Sequence, residues 1–281
     1  GLSNTTGTMN AVLGNHAFDA NTTGSYNVAV GGNALGANTT GNTNISIGFE
    51  SLNVNTTGAD NVAIGVDTLK ANTTASNNTA VGRSALAANT TGANNGALGA
   101  NALDANTTGD NNTGLGTNAL SANTTAEANT AVGVNAMILN TTGGYNTAFG
   151  MASLGANTTG AENTALGYLA LNANTTASNN TAVGRLALLL NTTGAENVAV
   201  GAAALDANTT GASNVGIGTA ALGSNTTASN NTAVGHVALN ANTTGHSNVA
   251  VGRSAMAVST TADRSTVVGF NAGDAMTTGG D

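Results

Sequence analysis

The chain has 281 residues and a formal net charge of −8; 6% of its residues are charged, 2% are aromatic, and it contains 39 Gly but no Pro, Cys or Trp. Ordinary globular domains carry about 25% charged residues, so few groups are left for catalysis. Five basic residues in all cannot build the clustered Lys and Arg stripe that nucleic acid needs.

The lack of Cys removes disulfides and thiolate metal sites. An apolar fraction of 40% sets the chain apart from disordered sequences, which combine low hydrophobicity with high net charge. No apolar run approaches the ~18 residues of a membrane-spanning helix, and no basic start followed by an apolar stretch marks a signal peptide. Membrane insertion is therefore not expected. The sequence starts and stops inside a repeat, so a segment of a longer fibre is expected.

The whole span 1–281 reads as a single array of 17-residue units starting at Asn4. Asn-Thr-Thr recurs every 17 residues from Asn4 to Asn242, continues as Ser259-Thr-Thr and Met276-Thr-Thr, and spans 16 full units without insertion or deletion. Such fidelity is the mark of stacked rungs, each touching only its neighbours. With Asn4 as position 1, a representative unit runs from Asn21 to Ala37.

In chain order, each unit opens on its Asn-Thr-Thr triplet and a Gly or Ala, a turn signal. The Asn residues Asn4, Asn21, Asn38, Asn55, Asn72, Asn89, Asn106, Asn123, Asn140, Asn157, Asn174, Asn191, Asn208, Asn225 and Asn242 each begin an Asn-x-Thr acceptor triplet, and so are candidate N-glycosylation sites. The competing reading makes them a structural ladder at a turn. It is favoured where Asn is lost at Ser259 and Met276 while both Thr residues remain. Four units hold a second acceptor at position 6: Asn77, Asn111, Asn179 and Asn230. Acidic residues such as Asp60, Asp110, Glu127, Glu162 and Glu196 sit at positions 5 and 6, which marks a solvent-facing turn. Position 7 is Asn except at Ser265, and an in-register Asn ladder can hydrogen-bond along the stacking axis.

Positions 8 to 10, as in Val28-Ala29-Val30, alternate β-branched and small residues and predict a strand. Position 10 is always a sizeable apolar residue. Positions 8 and 10 share a face, and are expected inside the coil with the Leu of position 15. Position 9, nearly always Ala, is then expected to face outwards. A column of small residues there suggests a packed contact with another chain; the alternative is that a very thin coil needs small residues. Position 11 is invariant Gly, at Gly14, Gly31, Gly48, Gly65, Gly82, Gly99, Gly116, Gly133, Gly150, Gly167, Gly184, Gly201, Gly218, Gly235, Gly252 and Gly269, and reads as a structural turn that ends the strand. The Ala-Leu of positions 14 and 15 is too short for a helix.

Two short strands and two turns fit into 17 residues. The fold expected is all-β, a β-solenoid or β-roll of about 16 rungs, with rungs stacked ~4.8 Å apart. Its histidines, His16, His236 and His246, fall at different repeat positions. Three or four converging metal ligands are not visible, so neither a metal, a cofactor nor an enzyme activity is expected.

The phrase Asn-Val-Ala-Val-Gly-x-x-Ala-Leu, at Asn27 to Leu35 and Asn197 to Leu205, resembles the head repeats of trimeric autotransporter adhesins. The longer unit at Asn129 to Thr142 and Asn180 to Thr193 resembles the repeats of bacteriophage tail fibres and related bacterial surface proteins, and the stretch from Gly269 to Gly280 fits a terminal variant of such arrays. The resemblance covers essentially the whole chain. It implies a left-handed β-roll in a three-chain assembly. Self-association, as a homotrimer or an end-to-end filament, and an extracellular, virion or cell-surface location are expected. The function expected is a structural shaft or fibre segment, with a surface-binding adhesin module as the alternative. Regular Thr columns raise a third reading, an ice-binding solenoid, against which adjacent Thr residues point to opposite faces.

Overall fold

Seventeen residues cannot close their backbone hydrogen bonds among themselves, so each rung must find partners in the rungs beside it. The computed structural model describes residues 3–278; Gly279 and Gly280, the end of the terminal variant, lie outside the described residues. The chain divides into two compact units, Gly1–Thr142 and Gly143–Asp281. In the first, eight three-residue strands run from β1 (Ala11–Leu13) to β8 (Thr130–Val132); in the second, eight run from β9 (Thr147–Phe149) to β16 (Thr266–Val268). Within each unit consecutive strands pair in parallel with like positions abreast. Val28, Ala29 and Val30 meet Ile45, Ser46 and Ile47, and Thr164, Ala165 and Leu166 meet Thr181, Ala182 and Val183. Each unit is thus an all-β parallel β-solenoid with 17 residues to the rung, and no helix occurs among the described residues.

The expectation of two strands per rung needs correcting, for each rung has one. Its other wall, positions 13 to 17, still bonds to the next rung: Leu35 N–H donates to Ser51 O at 3.1 Å and Ala37 N–H to Asn53 O at 2.9 Å. Positions 13 and 15, however, take left-handed φ values, as at Asn33 (58°) and Leu35 (51°), and a strand needs φ near −120°. Position 6 is left-handed as well, whether it is Tyr26 (63°), Asp60 (58°) or Glu196 (61°). Three such residues per rung let so short a coil turn its corners. Each costs an L-residue roughly 1–2 kcal/mol, and at position 15 full burial of a Leu, about 1.5–3 kcal/mol, offsets it.

Sidedness is the second correction. Position 9 faces inwards: Ala29, Ala63, Ala80 and Ala131 are fully buried, as are Ala34 and Leu35 of positions 14 and 15. Positions 8 and 10 face outwards. Alternation placed 8 and 10 opposite 9 but could not say which side was the interior. The thin-coil alternative is the one observed, because the Leu of position 15 fills the space in front of position 9. A Cβ placed on Gly114 would lie 3.4 Å from the Leu103 side chain, and one on Gly216 would lie 3.2 Å from Leu205. The last rung exchanges the two sizes: Val267 stands at position 9 and Gly273 at position 15, and a Cβ on Gly273 would lie 3.3 Å from the Val267 side chain. A third rung makes the same point with polar groups. Ser46 and Ser51 replace both inward alanines, and the Ser46 hydroxyl donates to Ser51 O at 2.9 Å.

Candidate functional site

The Asn column at position 1 lies inside the coil. From Asn21 to Asn242 every member is fully buried, and the amide of each is spoken for. Asn38 Nδ2 donates to Asn21 Oδ1 of the preceding rung and to Gly41 O of its own, both at 3.0 Å. The Asn55, Asn72, Asn89 and Asn106 amides repeat that pattern. A glycan on Nδ2 would replace one of these hydrogens and would need room where none exists. The column therefore does not fit the N-glycosylation expected of it, and only Asn4, in the first rung, is exposed. Burial of so many amides is tolerated because each is hydrogen-bonded. Ser259 illustrates the requirement: it occupies position 1 but its buried hydroxyl has no partner among the described residues.

The position 7 column forms a second internal ladder. Asn44 N–H donates to Asn27 Oδ1 at 2.9 Å, and Asn44 Nδ2 donates to Gly58 O of the next rung at 2.9 Å. The two Thr columns behave differently. At position 2 the hydroxyl is structural, as when Thr39 Oγ1 donates to Thr56 O at 3.0 Å. At position 3, as at Thr40 and Thr57, the side chain is exposed.

The position 11 glycines close the strands with φ between 127° and 146°, a region open in practice only to Gly. They also stack closely: a Cβ on Gly116 would lie 2.5 Å from Gly133 O. Position 4 has comparable crowding, yet Ala75, Ala126, Ala177 and Ala228 occupy it. Only the φ of position 11 makes Gly obligatory there.

Charged groups are few and scattered. Lys70 bridges Glu50 of the preceding rung at 2.5 Å and Asp67 of its own at 3.1 Å, and the hydrogen bond to Glu50, then that to Asp67, raises its pKa. His16 Nδ1 lies 3.0 Å from Asp19. His246 Nδ1 accepts from the Ser229 backbone N–H at 2.9 Å, while the backbone N–H of His246 donates to Asp263 Oδ1 at 2.6 Å. Burial raises the pKa of Asp104 and of Asp206, which share position 16. Of the acidic residues expected at a solvent-facing turn, Asp60, Glu127, Glu162 and Glu196 are exposed, and Asp110 accepts Ala93 N–H at 2.7 Å. No group of three His, Cys, Asp or Glu residues converges as a metal site among the described residues, no pocket is present among them, and they contain no helix long and apolar enough to cross a membrane.

What remains is the outer sheet face, which sequence reasoning placed inside. Position 10 presents an apolar side chain at every rung: Ile47 is 38% exposed, Leu98 52% and Phe149 56%. Beside it, position 8 is mostly Thr or Val, isosteres that differ in a hydroxyl. One signal could have revealed this face: Thr stands at position 8 in half the rungs, whereas position 15 never admits a polar residue. No protein-family model matches the chain, and no curated protein is similar to it.

Proposed function

We propose that the chain is a structural shaft segment of an extracellular fibre, on a phage tail or a microbial surface, and that copies of it associate through the outer sheet face. The observation that carries this reading is the column of apolar residues at position 10, present at every rung, exposed at Ile47, Ile64, Leu98, Leu115, Phe149, Leu166 and Ile217 and half-buried at most of its valines. Contiguous exposed apolar surface on this scale marks an interaction site. A surface that repeats every rung is matched best by a partner with the same repeat, and a second copy of this chain is such a partner. The Ala column proposed from sequence as the contact is replaced by positions 8 and 10.

Native mass spectrometry tests the reading. The unaltered chain is expected as a multimer, and the double variant Ile47→Lys, Ile64→Lys as a single chain with its fold intact. A single chain without any substitution would overturn the proposal. One feature favours a second reading, a surface-binding module: Tyr145, Phe149, Met151 and Tyr168 of the second unit are exposed on adjacent rungs. If Phe149→Ser with Tyr168→Ser leaves the multimer intact but abolishes attachment to a host surface, that region serves recognition.

A further inference from the structure

The acceptor triplet Asn-x-Thr occurs in this chain in two environments. Along position 1, from Asn21 to Asn242, its Asn is buried. At Asn77-Asn78-Thr79, Asn111-Asn112-Thr113, Asn179-Asn180-Thr181 and Asn230-Asn231-Thr232 the arrangement is reversed: the first Asn is exposed, the middle Asn is buried in the position 7 ladder, and the Thr lies on the outer sheet face. We propose that these four Asn residues, at position 6, are the N-glycan acceptors of the chain, and that the Asn-Thr-Thr column is not.

Three observations support the assignment. The backbone of each acceptor is anchored, its N–H donating at 3.1 Å to the preceding rung, as from Asn77 to Ala59 O and from Asn179 to Ala161 O. Its side-chain amide makes no hydrogen bond among the described residues, so Nδ2 keeps both hydrogens for reaction. The corner itself, with φ between 60° and 63°, carries the side chain into solvent. Left-handed backbone favours Asn, but the fold demands neither partner of the pair. Tyr26 and Glu162 occupy position 6 in other rungs, Val28 and Val198 occupy position 8, and Asn94 stands at position 6 with Gly96 two residues on.

The chemistry is a glycosyl transfer from a glycosyl diphosphate by a separate transferase. Nδ2 bonds to the anomeric carbon as the bond from that carbon to the diphosphate oxygen breaks. One Nδ2 proton passes to a base of the transferase, and the diphosphate leaves. The reading is independent of the shaft proposal, since it rests on the corner and not on the sheet face.

The test is to secrete the chain from eukaryotic cells that N-glycosylate, purify the folded protein and release the sugars with a peptide N-glycosidase in isotope-labelled water. Labelled Asp is expected at positions 77, 111, 179 and 230, and none is expected from Asn21 through Asn242 along the buried column. Thr79→Val is expected to remove one glycan and to leave the fold unchanged, because Val already fills that position in other rungs. Sugar on the buried column of folded protein, or none at the four corners, overturns the assignment.

Discussion

The interior of the coil and its outer sheet face invert the usual arrangement of a protein. Inside lie two columns of asparagine, and outside lies a column of Val, Ile, Leu and Phe. The difference shows that size and hydrogen bonding, more than polarity, decide what this coil buries. A thin coil has room for Ala, for one Leu per rung, and for amides that find the same amide in the next rung. An amide so paired incurs none of the penalty of an unsatisfied polar group, about 1–3 kcal/mol.

The largest expected effect breaks the stacking on which both regions depend. Gly116→Ala places a Cβ 2.5 Å from Gly133 O at φ 140° and is expected to cost about 4 kcal/mol or more, or to prevent folding. Gly96→Ala, where nothing lies within 4 Å of the new Cβ, is expected to stabilise by about 0.5–1 kcal/mol. Chemical denaturation of the two variants separates a glycine that the backbone requires from one that it does not.

The next contrast sets inside against outside with one side chain. Leu103 is fully buried and Leu98 is 52% exposed, five residues apart in the same rung. Leu103→Ala is expected to cost about 2–5 kcal/mol. Leu98→Ala should cost less than about 1 kcal/mol in the isolated chain and weaken self-association instead, so stability and native mass read the two faces separately.

Much of this was legible in the sequence. The 17-residue period, the strand at positions 8 to 10 and the strand-ending glycine follow from spacing and residue type. The inward face did not, since alternation is blind to which side is covered. Nor did the left-handed corners, because Leu35, Tyr26 and Glu196 carry no sign of a positive φ; only the stacking of neighbours holds them there. The position 1 asparagines were visible as a column, but their burial depends on Nδ2 reaching the preceding rung, which a single unit cannot show.

Two smaller effects sharpen the comparison. Ser259→Asn would restore the missing member of the inner ladder, with Asn242 Oδ1 and Ala262 O in reach by analogy with the preceding rungs. It is expected to raise stability by about 1 kcal/mol, measurable as a higher denaturation midpoint. Smallest is a pH effect. Burial raises the pKa of Asp104 and Asp206, so the folded chain holds those protons more tightly than the unfolded chain does. Stability then falls as pH rises from the ordinary carboxyl value through the raised one, and stays lower above it. Asp104→Asn and Asp206→Asn should therefore stabilise at neutral pH, with the gain vanishing in acid; Asn172 and Asn240 already occupy the same position. A gain that persisted in acid would point to some other cause.

The most direct test uses two neighbouring residues and the chain's lack of cysteine. Ser46 is fully buried at position 9, and Ile47 is 38% exposed at position 10. In dilute protein the thiol of Ile47→Cys is expected to react promptly with a soluble thiol reagent, and to react more slowly as concentration rises and copies associate. The thiol of Ser46→Cys is expected to stay protected at every concentration. Prompt reaction at position 46 with protection at 47 would contradict the account, as would an Ile47→Cys rate that does not change with concentration.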